Sequence, residues 1–233
     1  FGVRGMAPRR QAGALLHSEM WDDRVRLQVG VYNSVHRAEG NFHAGYEKIG
    51  QSLGNRYGRF AYGARLDFAP LGTLDETVAD MDKSSKPRFN LGGGYFYSDG
   101  TTRKIHGLAG DLHFKCHGFS LLGGYLYESS GAAEDPNKPV QEVGVADITN
   151  SAWFVEADYT ILKRLLGVHF RYEWLDADHE TDDEGNERIA SFGINLYALE
   201  NLVKFQADYQ MRMEPDGVEV DNDILLTQIG IAF

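Results

Sequence analysis

Two histidines and a glycine run come nearest to a catalytic pattern in this sequence. His113 and His169 are predicted to point inward from their strands, but no serine motif accompanies them as a nucleophile, so neutral pore-lining side chains are preferred. The glycine run 92–94 lacks the Lys-Ser or Lys-Thr pair of a phosphate-binding loop, and a strand pattern continues after it. We therefore predict that the protein is not an enzyme and has no catalytic residue.

Metal binding is also poorly supported by the residue pattern. The acidic run 176–184 lacks the glycine that an EF-hand needs at its sixth loop position, so a solvated surface loop is preferred over a calcium site. Cys116 is the only cysteine, which excludes an internal disulfide and a Cys-rich zinc site. One thiol beside His117 makes no metal centre, so we predict an inert thiol, no metal site and no cofactor.

Charge and apolar run length exclude two further classes of protein. The 233 residues include 23 Lys and Arg against 34 Asp and Glu, a formal net charge of -11, which disfavours nucleic acid as a partner. The apolar runs are only a few residues long, whereas a membrane-spanning helix needs roughly 20. A helical membrane protein is therefore excluded.

The elements that carry these residues are predicted to be strands. Six prolines, and 27 glycines concentrated in apolar segments, disfavour long helices. Apolar and polar residues alternate instead, most clearly in the segment 155–161 and again in 168–174 and 203–212. Each of these strands would have one apolar and one charged face, which predicts an all-β protein.

The same test predicts about eleven strands, most of about 10 to 12 residues, which is longer than in globular sheets and suits a tilted strand that crosses a bilayer. The predicted ranges are 11–20, 24–33, 58–69, 87–98, 105–116, 117–128, 151–162, 166–175, 188–199, 201–213 and 223–233.

The connections alternate between tight turns and long polar loops, as in outer-membrane barrels. The tight ones are 21–23, 116–117, 163–165 and 199–201, and the long ones are 34–57, 99–104, 129–150, 176–187 and 214–222. One connection, 70–86, is long although it belongs to the short-turn side. The pattern predicts an antiparallel transmembrane β-barrel, and the loop 34–57 is its longest candidate for a constriction.

Aromatic residues would form two girdles if the last strand runs inward from the cell surface. The outer girdle would contain Tyr97, Tyr127, Trp153, Trp174 and Tyr209, and the inner one Phe68, Phe89, Phe114, Phe119 and Phe233. The alternative is that they are core aromatics of a soluble β-sandwich. The long strands favour the barrel.

Three segments, Arg10 to Leu16, RVRLQVGVYNS at 24–34 and GRFAYGARLDFAPLG at 58–72, resemble the phosphate-selective porin O and P family. The last strand, with Leu225, Ile229 and terminal Phe233 on one face, looks like the assembly signal of outer-membrane barrels. The resemblance implies a homotrimer in the bacterial outer membrane that prefers phosphate or related anions.

Strand number adds an expectation about the whole barrel. Single-chain bacterial barrels have an even number of strands, and an unpaired edge in lipid leaves costly unsatisfied backbone groups. We therefore expect residues 1–233 to form one barrel domain that lacks N-terminal strands of a larger barrel of about 16 strands.

The charged face is predicted to line a water-filled lumen, because a solid β-core could not hold so many charges. Its basic candidates are Arg24, Arg26, Arg59, Arg65, Arg88, Lys115, Arg171, Lys204 and Arg212. Its acidic candidates are Asp67, Asp111, Glu156, Asp158, Glu173 and Asp208. An excess of basic groups would attract anions, whereas pairing of the ions across strands would leave little selectivity.

These patterns predict an outer-membrane porin for passive diffusion of small hydrophilic solutes, with a preference for anions. The expected partners are outer-membrane lipid, small anionic solutes and two further copies of the chain. The alternative is a structural outer-membrane barrel in a larger envelope assembly, plugged or filled by a partner and not conducting.

Overall fold

A computed structural model of the chain describes residues 13–33, 60–75, 77–99, 103–132, 147–179, 186–198, 203–213 and 221–231. These residues form eleven strands in one antiparallel sheet, and every strand pairs with the next one along the chain. The strands are β1 (Gly13–Met20), β2 (Val25–Asn33), β3 (Phe60–Phe68), β4 (Arg88–Asp99), β5 (Arg103–Cys116), β6 (Phe119–Ala132), β7 (Ile148–Leu162), β8 (Leu166–Asp176), β9 (Glu187–Ala198), β10 (Val203–Met213) and β11 (Ile224–Ile231). The predicted all-β class is confirmed.

Cross-strand pairing extends some strands beyond the range that alternation predicts. The strands β6 and β7 continue together to Ser130 and Ile148, which face each other at the loop end of the pair. Backbone hydrogen bonds of a ladder do not need an alternating sequence, so the polar residues near this end are strand residues too. No helix in the described part of the chain is long and apolar enough to cross a membrane.

The two faces of the sheet differ in chemistry and in exposure. The apolar face carries Val155, Ala157, Tyr159 and their cross-strand neighbours, and Val155 is 40% exposed. The polar face carries Glu156, Asp158 and their neighbours, and Asp158 is only 5% exposed. A flat sheet would expose both faces equally, as β1 and most of β11 do, so the shielded polar side chains of β7 indicate that the central part of the sheet curls around its polar face.

The sheet is open in the described part of the chain. There β1 pairs only with β2, and β11 pairs only with β10. The closure of the cylinder, the total of about 16 strands and the absence of N-terminal strands therefore stay predictions.

The tight turns and the long loops lie at opposite ends of the sheet, as the antiparallel order requires. The end with the turns at 117–118 and 163–165 is called the turn end here, and the opposite end the loop end. The connection between β3 and β4 lies at the turn end yet runs from Ala69 to Pro87. We call residues 69–87 the strap.

Candidate functional site on the polar face

Arg65 lies between two carboxylates at the centre of β3, β4 and β5. Its Nη1 lies 2.8 Å from Asp111 Oδ2, and its Nη2 lies 2.6 Å from Asp67 Oδ1. The guanidinium crosses β4 over Gly92, where a Cβ atom would collide with it and with Asp111. Glycine at this position therefore makes room for an ion triad that spans three strands.

Arg171 forms a second triad on β7 and β8. Its Nη1 lies 2.7 Å from Glu156 Oε2, and its Nε donates to Glu173 Oε1 at 2.5 Å. The guanidinium also lies 4.2 Å from the centre of the Phe154 ring, at cation–π distance. Because each of these arginines faces two carboxylates, neither presents an uncompensated positive charge.

His169 links β8, β9 and β10 through side-chain contacts. Its Nε2 lies 3.1 Å from Asp208 Oδ1, and its Nδ1 lies 3.1 Å from the Asn195 amide nitrogen. Gly193 on β9 lies between β8 and β10, and a Cβ atom at this position would collide with both His169 and Asp208.

Three more of the predicted basic residues lie on the polar face near other side chains. Arg26 pairs with Glu19 at 3.1 Å, and Arg212 Nη1 lies 3.5 Å from Glu187. Lys204 Nζ lies 5.7 Å from the centre of the Tyr197 ring.

Of four other predicted site residues, one lies in a turn, one contacts the strap and two lie outside the described residues. Arg24 lies in the turn before β2, where it donates to the Pro70 carbonyl, so it is not a strand residue of the wall. Arg88 donates to the Thr73 carbonyl in the strap at 3.0 Å. Arg59 and Phe233 lie outside the described residues.

The described polar face carries more carboxylates than alternation predicts. The strand register adds Glu19, Glu128 and Glu187 to the six acidic residues that alternation predicts. Each has the parity of a polar-face residue, so cross-strand register was the signal that could have found them. Because the predicted basic residue Arg59 lies outside the described residues, the excess of basic groups stays a prediction.

The first half of the strap is fastened to the polar face of β5 and β6. Lys115 is 1% exposed, and its ammonium bonds to the Asp75 carboxylate and to the Thr77 carbonyl. The Val78 carbonyl accepts from Ser120 Oγ at 2.6 Å and lies 3.0 Å from His113 Nε2. Lys115 was predicted to line the pore, but the strap covers it.

Asp80 fastens the middle of the strap. Its carboxylate accepts from the Gly118 amide at 2.7 Å and from both the amide and the hydroxyl of Ser84. Its backbone carbonyl accepts from Thr160 Oγ1 on β7 at 3.0 Å. Asp80 therefore joins the strap to the β5–β6 turn and to β7.

The far end of the strap reaches the β7–β8 turn. Asp82 accepts from Arg164 Nε at 2.5 Å, the Met81 carbonyl accepts from the Arg164 amide, and Lys83 Nζ donates to the Ile161 carbonyl. The strap thus leaves β3, crosses the turn ends of β5, β6 and β7, and returns to β4. This path explains why a connection on the short-turn side is long.

Comparison with known proteins finds similar solved structures but no family. No family model matches the chain, and no curated protein matches it. The chain is similar to the structure of a BenF-like porin from Pseudomonas fluorescens Pf-5, with a TM-score of 0.44 and 11% identity. The match covers 94% of this chain and 66% of that one, so the chain spans about two thirds of that porin's length. The phosphate-selective porin O and P resemblance stays a prediction.

One serine and one histidine that the sequence did not connect meet at the loop end. Ser151 Oγ lies 2.8 Å from His179 Nε2, and Asp176 Oδ2 lies 3.7 Å from the same ring nitrogen. A catalytic triad instead places its carboxylate at the other nitrogen. Ser151 is also 3% exposed, so this contact fastens His179 to the sheet and forms no accessible nucleophile.

The described residues contain no group of three His, Cys, Asp or Glu that could hold a metal ion.

The strap carries two carboxylates with lowered pKa values. Burial alone would raise the pKa of Asp75, but hydrogen bonds from Lys115 and Thr77 and the ammonium charge outweigh it and hold this pKa below its usual value. The hydrogen bond from Arg164 does the same for the pKa of Asp82 against a small desolvation effect. A carboxylate with a lowered folded-state pKa stabilises its contacts above the ordinary pKa and loses that effect as the pH falls through the lowered value.

We therefore expect the strap to loosen only in acid, below about pH 4. Amide hydrogen exchange, corrected for the intrinsic rate, should show constant protection of residues 77–87 from pH 7 to pH 5 and reduced protection at pH 3. Asp75→Asn is the control, because its strap should be loosened already at pH 7 and change less in acid. Strap protection that stays constant down to pH 3 in the unaltered protein would contradict this assignment.

Proposed function

We propose that this chain forms the wall of an outer-membrane porin for passive diffusion of small hydrophilic solutes. The observation that carries the proposal is the contrast between the two faces of one continuous antiparallel sheet. Its exposed face is apolar, and its shielded face holds ion triads and a histidine–aspartate pair. A lipid exterior and an aqueous lumen satisfy both faces.

The apolar face supports a lipid environment. Leu66, Leu108 and Ile194 on different strands are about half exposed, and similar side chains extend over all eleven strands of the described sheet. A soluble monomer rarely leaves an apolar surface of this extent open to water. The described members of both predicted aromatic girdles have the parity of the apolar face, with Trp153 and Trp174 stacked 6.5 Å apart near the loop end.

The open edges support further strands beyond β1 and β11. In lipid, each edge would leave a row of unsatisfied backbone groups at several kcal/mol per group. We propose that additional strands close the cylinder, as the even strand number of single-chain barrels requires. The homotrimer is likewise a proposal, because it rests on the family resemblance alone.

The ion pairs favour a weakly selective channel over a strongly anion-selective one. Arg65 and Arg171 are each neutralised by two carboxylates, and Lys115 is covered. An anion in the lumen would have to displace a carboxylate to reach either guanidinium. The preference for phosphate expected from the sequence therefore rests on the resemblance and not on these side chains.

Swelling of liposomes that contain the purified protein tests the proposed function. We expect the liposomes to swell in isotonic solutions of small sugars and zwitterions, with rates that fall as solute size rises. Protein-free liposomes and liposomes with heat-denatured protein are the controls. Absence of swelling with folded, membrane-inserted protein would contradict the porin function.

The strap gives some support to the second candidate, a structural barrel that does not conduct. It covers part of the polar face at the turn end, as a plug would. The same swelling experiment separates the two functions, because a plugged barrel would insert into the liposomes without making them permeable.

A further inference from the structure

We propose that the strap, residues 69–87, is the size-limiting element of the channel and that Lys115 is the residue that latches it. The proposal rests on the proposed porin function. It assigns the constriction to a segment that enters from the turn end, whereas the longest loop-end candidate in the sequence is 34–57.

The path of the strap is longer than its connection requires. β3 and β4 are antiparallel neighbours, and a hairpin between such strands commonly needs two to five residues. The strap instead extends from Ala69 to Pro87 and contacts β5, β6, β7 and the β7–β8 turn before it returns. The additional residues of the strap let it cross the polar face at the turn ends of β5, β6 and β7.

The strap covers the part of the polar face that solutes would otherwise meet at this end. Ser120 and Thr160 are almost completely buried beneath it, and both donate hydrogen bonds to its backbone carbonyls. Since the polar face is the proposed lumen surface, a segment lying on it takes up cross-section there. Passing solutes would meet Val78 and Asp75, which remain exposed on the strap, instead of the buried Lys115.

Lys115 is suited to be the latch because its charge is buried. The ammonium bonds to three strap atoms, one on Asp75 and two on Thr77. A buried ammonium must be paired and hydrogen-bonded. As long as Lys115 is buried, it therefore needs its bonds to the strap, and these bonds hold the strap on the sheet. The contacts of Asp80 and Asp82 fasten the remainder of the strap, which makes release of the first half a local event.

A thiol placed beneath the strap tests the latch independently of conduction. In a Cys116→Ser background, Ser120→Cys introduces a thiol that the strap shields from a charged, membrane-impermeant maleimide. This change weakens the contact with the Val78 carbonyl but leaves the three Lys115 contacts in place, so every labelling rate is compared with that of this parent protein. We expect Lys115→Met to raise the labelling rate by about tenfold, because local opening exposes the thiol. Asp75→Asn removes the charge partner at an exposed position and should act in the same direction if Lys115→Met does not fold. Arg26→Met, which has no strap contact among the described residues, is the matched control and should leave the rate unchanged.

Single-channel conductance of the same proteins tests the constriction. Replacement of residues 72–84 by a short Gly-Ser turn should raise conductance and make the introduced thiol freely reactive. Rapid labelling of the parent thiol at position 120, or an unchanged conductance in the shortened protein, would overturn the proposal. If no protein conducts while the labelling pattern holds, the porin function fails and the latch stands, so the two failures are distinguishable.

Discussion

Val155→Arg is expected to lower the free energy of unfolding in lipid vesicles by about 2–4 kcal/mol. Val155 lies at the middle of β7 on the apolar face and is 40% exposed. In a membrane that exposed surface contacts hydrocarbon, and a guanidinium at the bilayer midplane is costly. In a soluble sheet the same change at an exposed position would alter stability by no more than about 0.5 kcal/mol.

Gln206→Arg is the matched control for this substitution. Gln206 lies within β10 on the polar face, and its amide already donates to Asp208 at 2.6 Å. A guanidinium there can pair with the carboxylate, so we expect little change in unfolding free energy. Urea titration of both variants in the same vesicles measures the difference, and equal stability of the two variants would contradict a lipid-facing apolar surface.

Removal of the arginines from the triads and removal of carboxylates from one triad are expected to shift ion selectivity in opposite directions. Combined Arg65→Met and Arg171→Met uncovers four carboxylates on the polar face and should raise the cation-to-anion permeability ratio several-fold. Combined Asp67→Asn and Asp111→Asn leaves Arg65 without its counter-charges and should shift the ratio toward anions.

The reversal potential in a salt gradient measures both shifts. Lys163→Met is the control, because this exposed residue lies in the β7–β8 turn away from the triads, and its removal should leave the potential nearly unchanged. Reversal potentials that do not respond to either pair of substitutions would mean that the triads do not line the conducting path.

The strands were predictable because their signal is local. Alternation along β7, β8 and β10 assigns each side chain to a face without knowledge of any partner strand, and the short turns then fix the antiparallel order. The polar-face glycines were harder to interpret. Gly92 and Gly193 make room for Arg65 and His169 from neighbouring strands, and such a contact is invisible in a single strand.

The strap was not predictable because its contacts are distant in sequence. Asp80 meets Gly118 and Thr160, which lie 38 and 80 residues away, and Lys115 meets Asp75 across 40 residues. Nothing in the local pattern of 70–86 separates a segment folded onto the sheet from a solvated loop. The pairing of the charges on the polar face was not predictable for a related reason, because the partners of the arginines depend on strand register.

The most direct test of the account is the current through a planar lipid bilayer after addition of the purified, folded protein. A polar, charge-lined interior behind an apolar exterior predicts discrete stepwise increases in conductance, each from one inserted channel. Folded protein that inserts into the bilayer without producing any steps would contradict the porin function.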